Sequence, residues 1–581
     1  MRKPILTFST PVFAAILLAS PGFGQAVIAP DLLQPKGEEI VEVLVQYKTQ
    51  PSNNRRLRSM QARTGRQARQ FENIPVAHVA VNAADLAALE QDPEVISISP
   101  DREVTSYLEK AQASINYYSL SNYFDGINRA KAAGVVIAIL DSGVYASHKN
   151  FGWYLEPANS RISTYSKSFV DSTTDDLYGH GTHVAGIAAG MDNVTTMLQG
   201  VTASTSYWGI APDATILNLK VLDSTGKGTD SGIIAAIDYA ITLKNTNGVN
   251  IRVMNLSLGR PIYTSYKLDP LCLAVEKAWK NGIVVVVAAG NNGRDNTKGT
   301  NGYGTISAPG NDPYVITVGA VNSKADYDKA NDVIATYSSK GPSIIDHIAK
   351  PDLVAPGNRI GSYQAPNSTL VKGNAGNRIP KGNYIPGGGT TPSTDYFTLS
   401  GTSMAAPIVA GTVAMMLDKD PTLTPDQVKA RLMKTAWRGF PAKISTYDDA
   451  TKTTYYSNHD LFTIGAGMLD AWAAYNNNDK PAAIVGVAAS PTAYYDTVSK
   501  SVKLKLNTTG SSNVVWGDST FPTNVVWGDS VLRGNSVVWG ENVVWGDSTM
   551  AGSNVVWGDK SPWATSTTKS ENMGTIIQGE N

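Results

Sequence analysis

A single cysteine, Cys272, stands among 581 residues, which excludes an internal disulfide. It lies in an apolar stretch of helical pattern and reads as core packing rather than chemistry. An excess of one charge is equally lacking. The 49 Lys and Arg match 49 Asp and Glu, so no net field draws the chain to nucleic acid or to an anionic membrane. No uninterrupted apolar run reaches the length of a bilayer span, and no integral membrane segment is expected. The Arg-rich stretch 55–69 has almost none of the interleaved aromatics of a nucleic-acid platform and reads as a solvated helix.

What is present divides the chain into four stretches. Residues 1–25 combine a basic start, Met1-Arg2-Lys3, an apolar run from Val12 to Ala19 and small residues around Pro21 to Ala26. That is the layout of a secretory signal peptide, cut at about Gly24 to Ala26, and it predicts a secreted protein: extracellular, periplasmic or on the cell surface. Residues 27–107 read as a small α+β unit. Ile40–Tyr47, Val76–Val81 and Val95–Ser99 alternate like strands, the Arg-rich stretch supplies one helix and Ala84–Leu89 a second, so an open sheet with two helices on one face is expected.

Residues 108–478 carry near-continuous apolar runs, Val135–Leu140, Ile216–Leu222, Val253–Leu258, Ile283–Val287 and Tyr314–Val318, as strands buried on both faces require. Helical patterns at Ser231–Leu243, Pro270–Lys280 and Thr424–Lys434 lie among them. The fold class is therefore α/β, a three-layer sandwich with a mostly parallel central sheet. Residues 479–581 form a C-terminal extension with five copies of Val-Val-Trp-Gly-Asp/Glu, their tryptophans at 516, 527, 539, 545 and 557. Spacings of 11, 12, 6 and 12 suggest a repeat near six or twelve residues, either stacked short β turns or a low-complexity tail with strand bias. Exposed tryptophan makes the tail a candidate for binding a surface or partner.

In a parallel sheet the working residues gather at the carboxyl ends of strands. Asp141 ends one such run, where a carboxylate either forms a turn or orients a catalytic base. His180 and His183, in Gly179-His180-Gly181-Thr182-His183-Val184-Ala185-Gly186, could hold a metal at i, i+3, yet no nearby acid or cysteine completes a zinc set. One imidazole as general base is the better use. Asn291 closes Val286-Val287-Ala288-Ala289-Gly290-Asn291, as a turn or as a donor to an oxyanion. Ser403, in Gly401-Thr402-Ser403-Met404-Ala405-Ala406-Pro407, heads a helix, as an N-cap or as a nucleophile beside unpaired N–H groups, with Pro407 placed in the first turn.

In that order and context, these motifs resemble the subtilisin-like (subtilase, peptidase S8) serine proteases, from about residue 115 to 478. Gly209-Ile210-Ala211-Pro212, Asn255-Leu256-Ser257-Leu258-Gly259 and Lys350-Pro351-Asp352-Leu353-Val354-Ala355-Pro356-Gly357 resemble them too. The resemblance implies a serine endopeptidase acting on polypeptides, with Ser403 as nucleophile, His180 as base, Asp141 as its orienter and Asn291 with the Ser403 N–H as oxyanion hole. It implies that Ser257, Leu258 and Gly259 pair with extended substrate, and that Ala289 and Gly290 line a pocket. Residues 27–107 are similar to an inhibitor-type propeptide, which implies an intramolecular inhibitor removed by self-processing at about Tyr107 to Ala113. His183 is left to packing and Asp176 to structure.

No cofactor is required for such chemistry. Structural calcium is common in the family, but the long stretch Met191–Trp208 shows no clean calcium loop, so its site is unknown. Residues 362–396, rich in Gly, Asn, Pro and Thr, look inserted, as a flap near the site or a disordered excursion. A reading of another class is a non-catalytic secreted binding protein on the same scaffold, acting through the tryptophan repeats. The chain order Asp, His, Ser disfavours an α/β-hydrolase, and the glycine contexts follow no phosphate loop.

Overall fold

This computed structural model describes residues 26–505, with breaks at 34, 37–38, 51–65, 67, 107–131, 154–155, 193–206, 298, 325–328, 386, 449–450, 482 and 497–500, and also 536–538 and 554–556. The expected signal peptide, most of the Arg-rich helix and most of the repeat tail lie outside the described residues.

The N-terminal unit contains β1 (Val41–Tyr47), β2 (Val76–Val81), α1 (Ala83–Glu90), β3 (Val95–Pro100) and β4 (Glu103–Ser106). β1 is central in its sheet, antiparallel to both β2 and β3, with Val43, Val45, Ala77, Val79 and Ile98 buried beneath α1 residues Leu86 and Leu89. Asn82 starts α1 by accepting the Asp85 N–H, which satisfies one of the donors that a first turn leaves unpaired.

The large unit is built on a parallel sheet. Its elements run β5 (Val136–Asp141), α2 (His180–Ala189), β6 (Thr215–Lys220), β7 (Lys227–Thr229), α3 (Asp230–Thr246), β8 (Ile251–Leu256), β9 (Leu258–Gly259), α4 (Pro270–Lys280), β10 (Val284–Ala288), β11 (Ile316–Asn322) and β12 (Leu353–Pro356). In space, β6-β5-β8-β10-β11-β12 lie side by side, all parallel. Every residue of β5 and β10 is buried, as the uninterrupted Val, Ile and Leu runs require, each such side chain contributing about 1.5–3 kcal/mol of burial.

The described residues of 362–396 carry regular structure where a disordered excursion is one expectation. β13 (Ile360–Tyr363), α5 (Thr369–Gly373), β14 (Arg378–Pro380) and β15 (Pro392–Leu399) form an antiparallel sheet, with β15 between its two neighbours. Tyr207, Tyr363, Tyr384 and Tyr396 pack edge to face and tilted beneath it, which anchors the excursion by aromatic burial.

Then come α6 (Thr402–Lys419) and α7 (Pro425–Thr435). α6 is buried from Thr402 to Leu417 and packs across β8, β10 and β11 and against α2. A hairpin of β16 (Thr492–Asp496) and β17 (Ser501–Lys505) follows, and the packed body runs on through it. Val487, Ala488 and Ala493 share a core with Met433 and Phe462, while Ser490 donates to Asp352 at 2.6 Å and accepts from Lys429 at 2.9 Å. In the tail, β18 (Ser536–Val538) and β19 (Asn554–Val556) pair in parallel, Ser536 opposite Asn554. The offset is 554 − 536 = 18 residues, three times the shorter repeat.

Candidate active site

β5 delivers Asp141 to the carboxyl edge of the sheet. Its Oδ1 accepts from the Ser142 N–H at 2.7 Å and lies 2.6 Å from His180 Nδ1. A carboxylate there fixes the proton on Nδ1 and leaves Nε2 as the basic nitrogen. Both side chains are buried.

The junction of β5 with α2 explains why they meet. Gly179 precedes α2 in the left-handed region at φ 105°, where a side chain would strain the backbone. With a glycine at the cap, Asp176 does the capping: its carboxylate accepts from the N–H groups of Gly179 at 2.6 Å and Thr182 at 2.8 Å. It also accepts from Ser142 Oγ at 2.8 Å, and that hydroxyl accepts from the Gly181 N–H at 3.0 Å. Burial raises the Asp176 carboxyl while these donors pull it back. The sequence assigns Asp176 to structure, and the capping contacts are such a role; the signal for the cap itself is an acid three residues ahead of a cap glycine.

His183, one turn on, faces the carbonyls of Ile360 and Phe397 at 3.2 Å each, so its Nε2–H ties α2 to β13 and β15. Burial first, then the adjacent His180, push its imidazole down to about 3, and it stays neutral.

Ser403 is the second residue of α6, where the first turn leaves N–H groups without helical acceptors. Its hydroxyl donates to the Ser257 carbonyl at 3.1 Å, while the Ser257 hydroxyl donates to the Ser403 carbonyl at 2.7 Å. The second bond has a cause further along the helix. α6 begins at Thr402, so Pro407 is its sixth residue and not, as the sequence suggested, in the first turn. Lacking an N–H, Pro407 cannot bond the carbonyl four residues back, which is that of Ser403. Ser257, held by Asn255 Nδ2 at 2.9 Å, takes its place.

Asn291 turns its side-chain oxygen to Thr402, accepting from its N–H and its hydroxyl at 3.0 Å each. Its Nδ2 is buried and has no hydrogen-bond partner among the described residues. Next to it, Gly290 has φ 106°, and a Cβ there would lie 2.6 Å from Ser307 Oγ. Ala289 is buried, its N–H bonded to Val318 and its carbonyl to Ser307.

The edge Ser257-Leu258-Gly259 is occupied by the chain's own β4. Leu258 pairs with Ser106 and Gly259 with Thr105, antiparallel, and on its other side β4 pairs with β7, Gly228 opposite Val104. A segment of the N-terminal unit thus lies between two cleft edges and runs toward Ser257 and Ser403.

Among the described residues no group of three His, Cys, Asp or Glu could hold a metal ion. The buried carboxylate heading the long loop, Asp192, is taken up by Tyr396 OH, Asn150 Nδ2 and the Tyr207 N–H, a donor set that suits an anion and does not fit a cation.

Residues 132–467 match the subtilase family. The chain is 36% identical over 302 residues to serine protease AprX of Bacillus subtilis (strain 168), covering 52% of this chain and 60% of that protein. It is 32% identical over 417 residues to subtilisin E of the same strain, covering 71% of this chain and 83% of that one. Among solved structures it is similar to fervidolysin of Fervidobacterium pennivorans, a keratinolytic enzyme related to subtilisin. That likeness has a TM-score of 0.54 at 20% identity and covers 78% of this chain and 63% of that chain.

Proposed function

Because the chain belongs to the subtilase family of serine-type endopeptidases, we propose that it is a secreted, self-processed enzyme that hydrolyses peptide bonds through Asp141, His180 and Ser403. Ser403 Oγ attacks the substrate carbonyl carbon as its proton passes to His180 Nε2, and Asp141 stabilises the imidazolium formed. The negative oxygen is received by Asn291 Nδ2 and the Ser403 N–H. As the intermediate collapses, the His180 proton goes to the leaving amine and an acyl-enzyme remains; water then repeats the sequence in place of Ser403. The observation that carries this reading is the buried Nδ2 of Asn291, beside the turn that starts the Ser403 helix, which has no hydrogen-bond partner among the described residues.

Residues 27–107 are proposed as the inhibitory propeptide, with 1–25 as signal peptide, 108–478 as catalytic domain and 479–581 as C-terminal extension. The position of β4 supports this. Ser106 pairs with Leu258, next to the Ser257 carbonyl that holds the Ser403 hydroxyl, so β4 ends beside the nucleophile and one residue short of the expected processing interval.

Ser403→Ala tests the proposal. The precursor of that variant is expected to stay uncut, with no hydrolysis of casein, and normal processing would overturn it.

A further inference from the structure

Arg102 immediately precedes β4, and its side chain is buried. Its carbonyl accepts from the Asp230 N–H at 2.8 Å, so the segment is already bound to the cleft edge at this residue. The guanidinium bonds Asp31 through two nitrogens at 2.9 Å each, lies 3.8 Å from Asp230 and sits over the ring of Tyr263, 5.2 Å from its centroid. Asp31 and Arg102 both belong to the proposed propeptide and leave with it.

Asp230, Asp269 and Tyr263 remain. The two carboxylates are fully buried and share one cation, Arg260, which reaches Asp230 at 2.8 Å and Asp269 at 2.7 Å. One negative charge is then in excess beside an aromatic face. Burial pushes the Asp230 carboxyl up to about 6, with Arg260 opposing.

We propose that in the mature enzyme Asp230, Asp269 and the Tyr263 ring form a subsite for a cationic substrate side chain, arginine above all, at the position Arg102 holds, five residues before Tyr107. The inference rests on the proposed peptidase reading and names a substrate class for it. Arginine is favoured over lysine because its planar, weakly hydrated head can stack on the ring while facing a carboxylate.

The test uses quenched fluorescent peptides with the sequence of residues 100–110, carrying Arg, Lys, Gln or Glu at position 102, and the processed wild-type enzyme. Expected is a kcat/KM order Arg, Lys, Gln, Glu, with about tenfold between Arg and Gln at low salt and less at high salt. Tyr263→Leu narrows the ratio of Arg to Gln. Binding of the same peptides is followed by fluorescence anisotropy. Equal turnover across the series, or equal affinity in the absence of turnover, overturns the subsite. Loss of hydrolysis of every peptide with the affinity order intact overturns the peptidase reading and leaves the subsite standing.

Discussion

Asn291 commits its side-chain oxygen to Thr402 and leaves its nitrogen buried and unbonded, a state that costs about 1–3 kcal/mol in the resting molecule. If that donor is used only when the carbonyl oxygen becomes negative, Asn291→Ala lowers kcat by roughly 10²–10³ and leaves KM nearly unchanged. Steady-state kinetics on one peptide separate the two constants, and a change confined to KM contradicts the assignment. His183 makes a prediction about acid. Unfolded, its imidazole titrates near ~6.5; folded, burial beside His180 holds it at about 3. Between those values the unfolded chain carries the extra proton. The stability owed to neutral His183 is therefore complete above ~6.5 and is lost as pH falls toward 3. Thermal unfolding between pH 7 and pH 4 is expected to show a falling Tm, with a shallower slope in His183→Gln.

Elements bring these side chains together by approaching more closely than a side chain allows. A Cβ on Gly181, in the first turn of α2, would stand 2.2 Å from the Gly143 carbonyl and 3.1 Å from Asp141 Cβ. Gly181→Ala must therefore push α2 away from the end of β5. Since displacement of a catalytic group by about 1 Å can cost 10²-fold, it is expected to lower kcat by about that factor and to reduce Tm. A variant with wild-type kcat would show that the two elements have slack. This closeness is also why so much was legible in the sequence. Each motif pairs a buried strand end or helix start with the glycine that lets its neighbour approach, and both signals are local. α4 spans Pro270–Lys280 as its pattern predicts, between an Asp269 cap and a lysine-bearing last turn. What escaped the sequence depends on distant partners. The strands and helix within 360–399 pack over tyrosines at 207, 363, 384 and 396, and Pro407 is accommodated inside α6 because Ser257 donates to the carbonyl it leaves free.

At the scale of the whole molecule, the N-terminal unit is tied to one helix of the large unit both at its start and two turns further on. Asp101 caps the start of α3, accepting from the Ser231 N–H at 2.8 Å and its hydroxyl at 2.5 Å. Two turns on, the Asp238 carboxylate accepts from the N–H groups of Glu72 at 2.7 Å and Asn73 at 2.6 Å, while Asn73 Nδ2 donates to Thr242 at 2.7 Å. β4 adds a further attachment between β7 and β9, so after a cut beyond Ser106 the proposed propeptide stays bound by contacts that need no covalent link. Asp238→Ala removes the acceptor of two backbone donors that are partly buried in the joint structure. Each charge-assisted bond lost is worth about 1.5–3 kcal/mol, so with both gone the cleaved propeptide should bind roughly 10²- to 10⁴-fold more weakly. Size-exclusion chromatography of freshly processed protein checks it: wild type elutes with its propeptide, and Asp238→Ala elutes largely without it and hydrolyses peptide sooner after the cut. Co-elution of the variant equal to wild type would mean that β4 and the Asp101 contacts hold the inhibitor in place without Asp238.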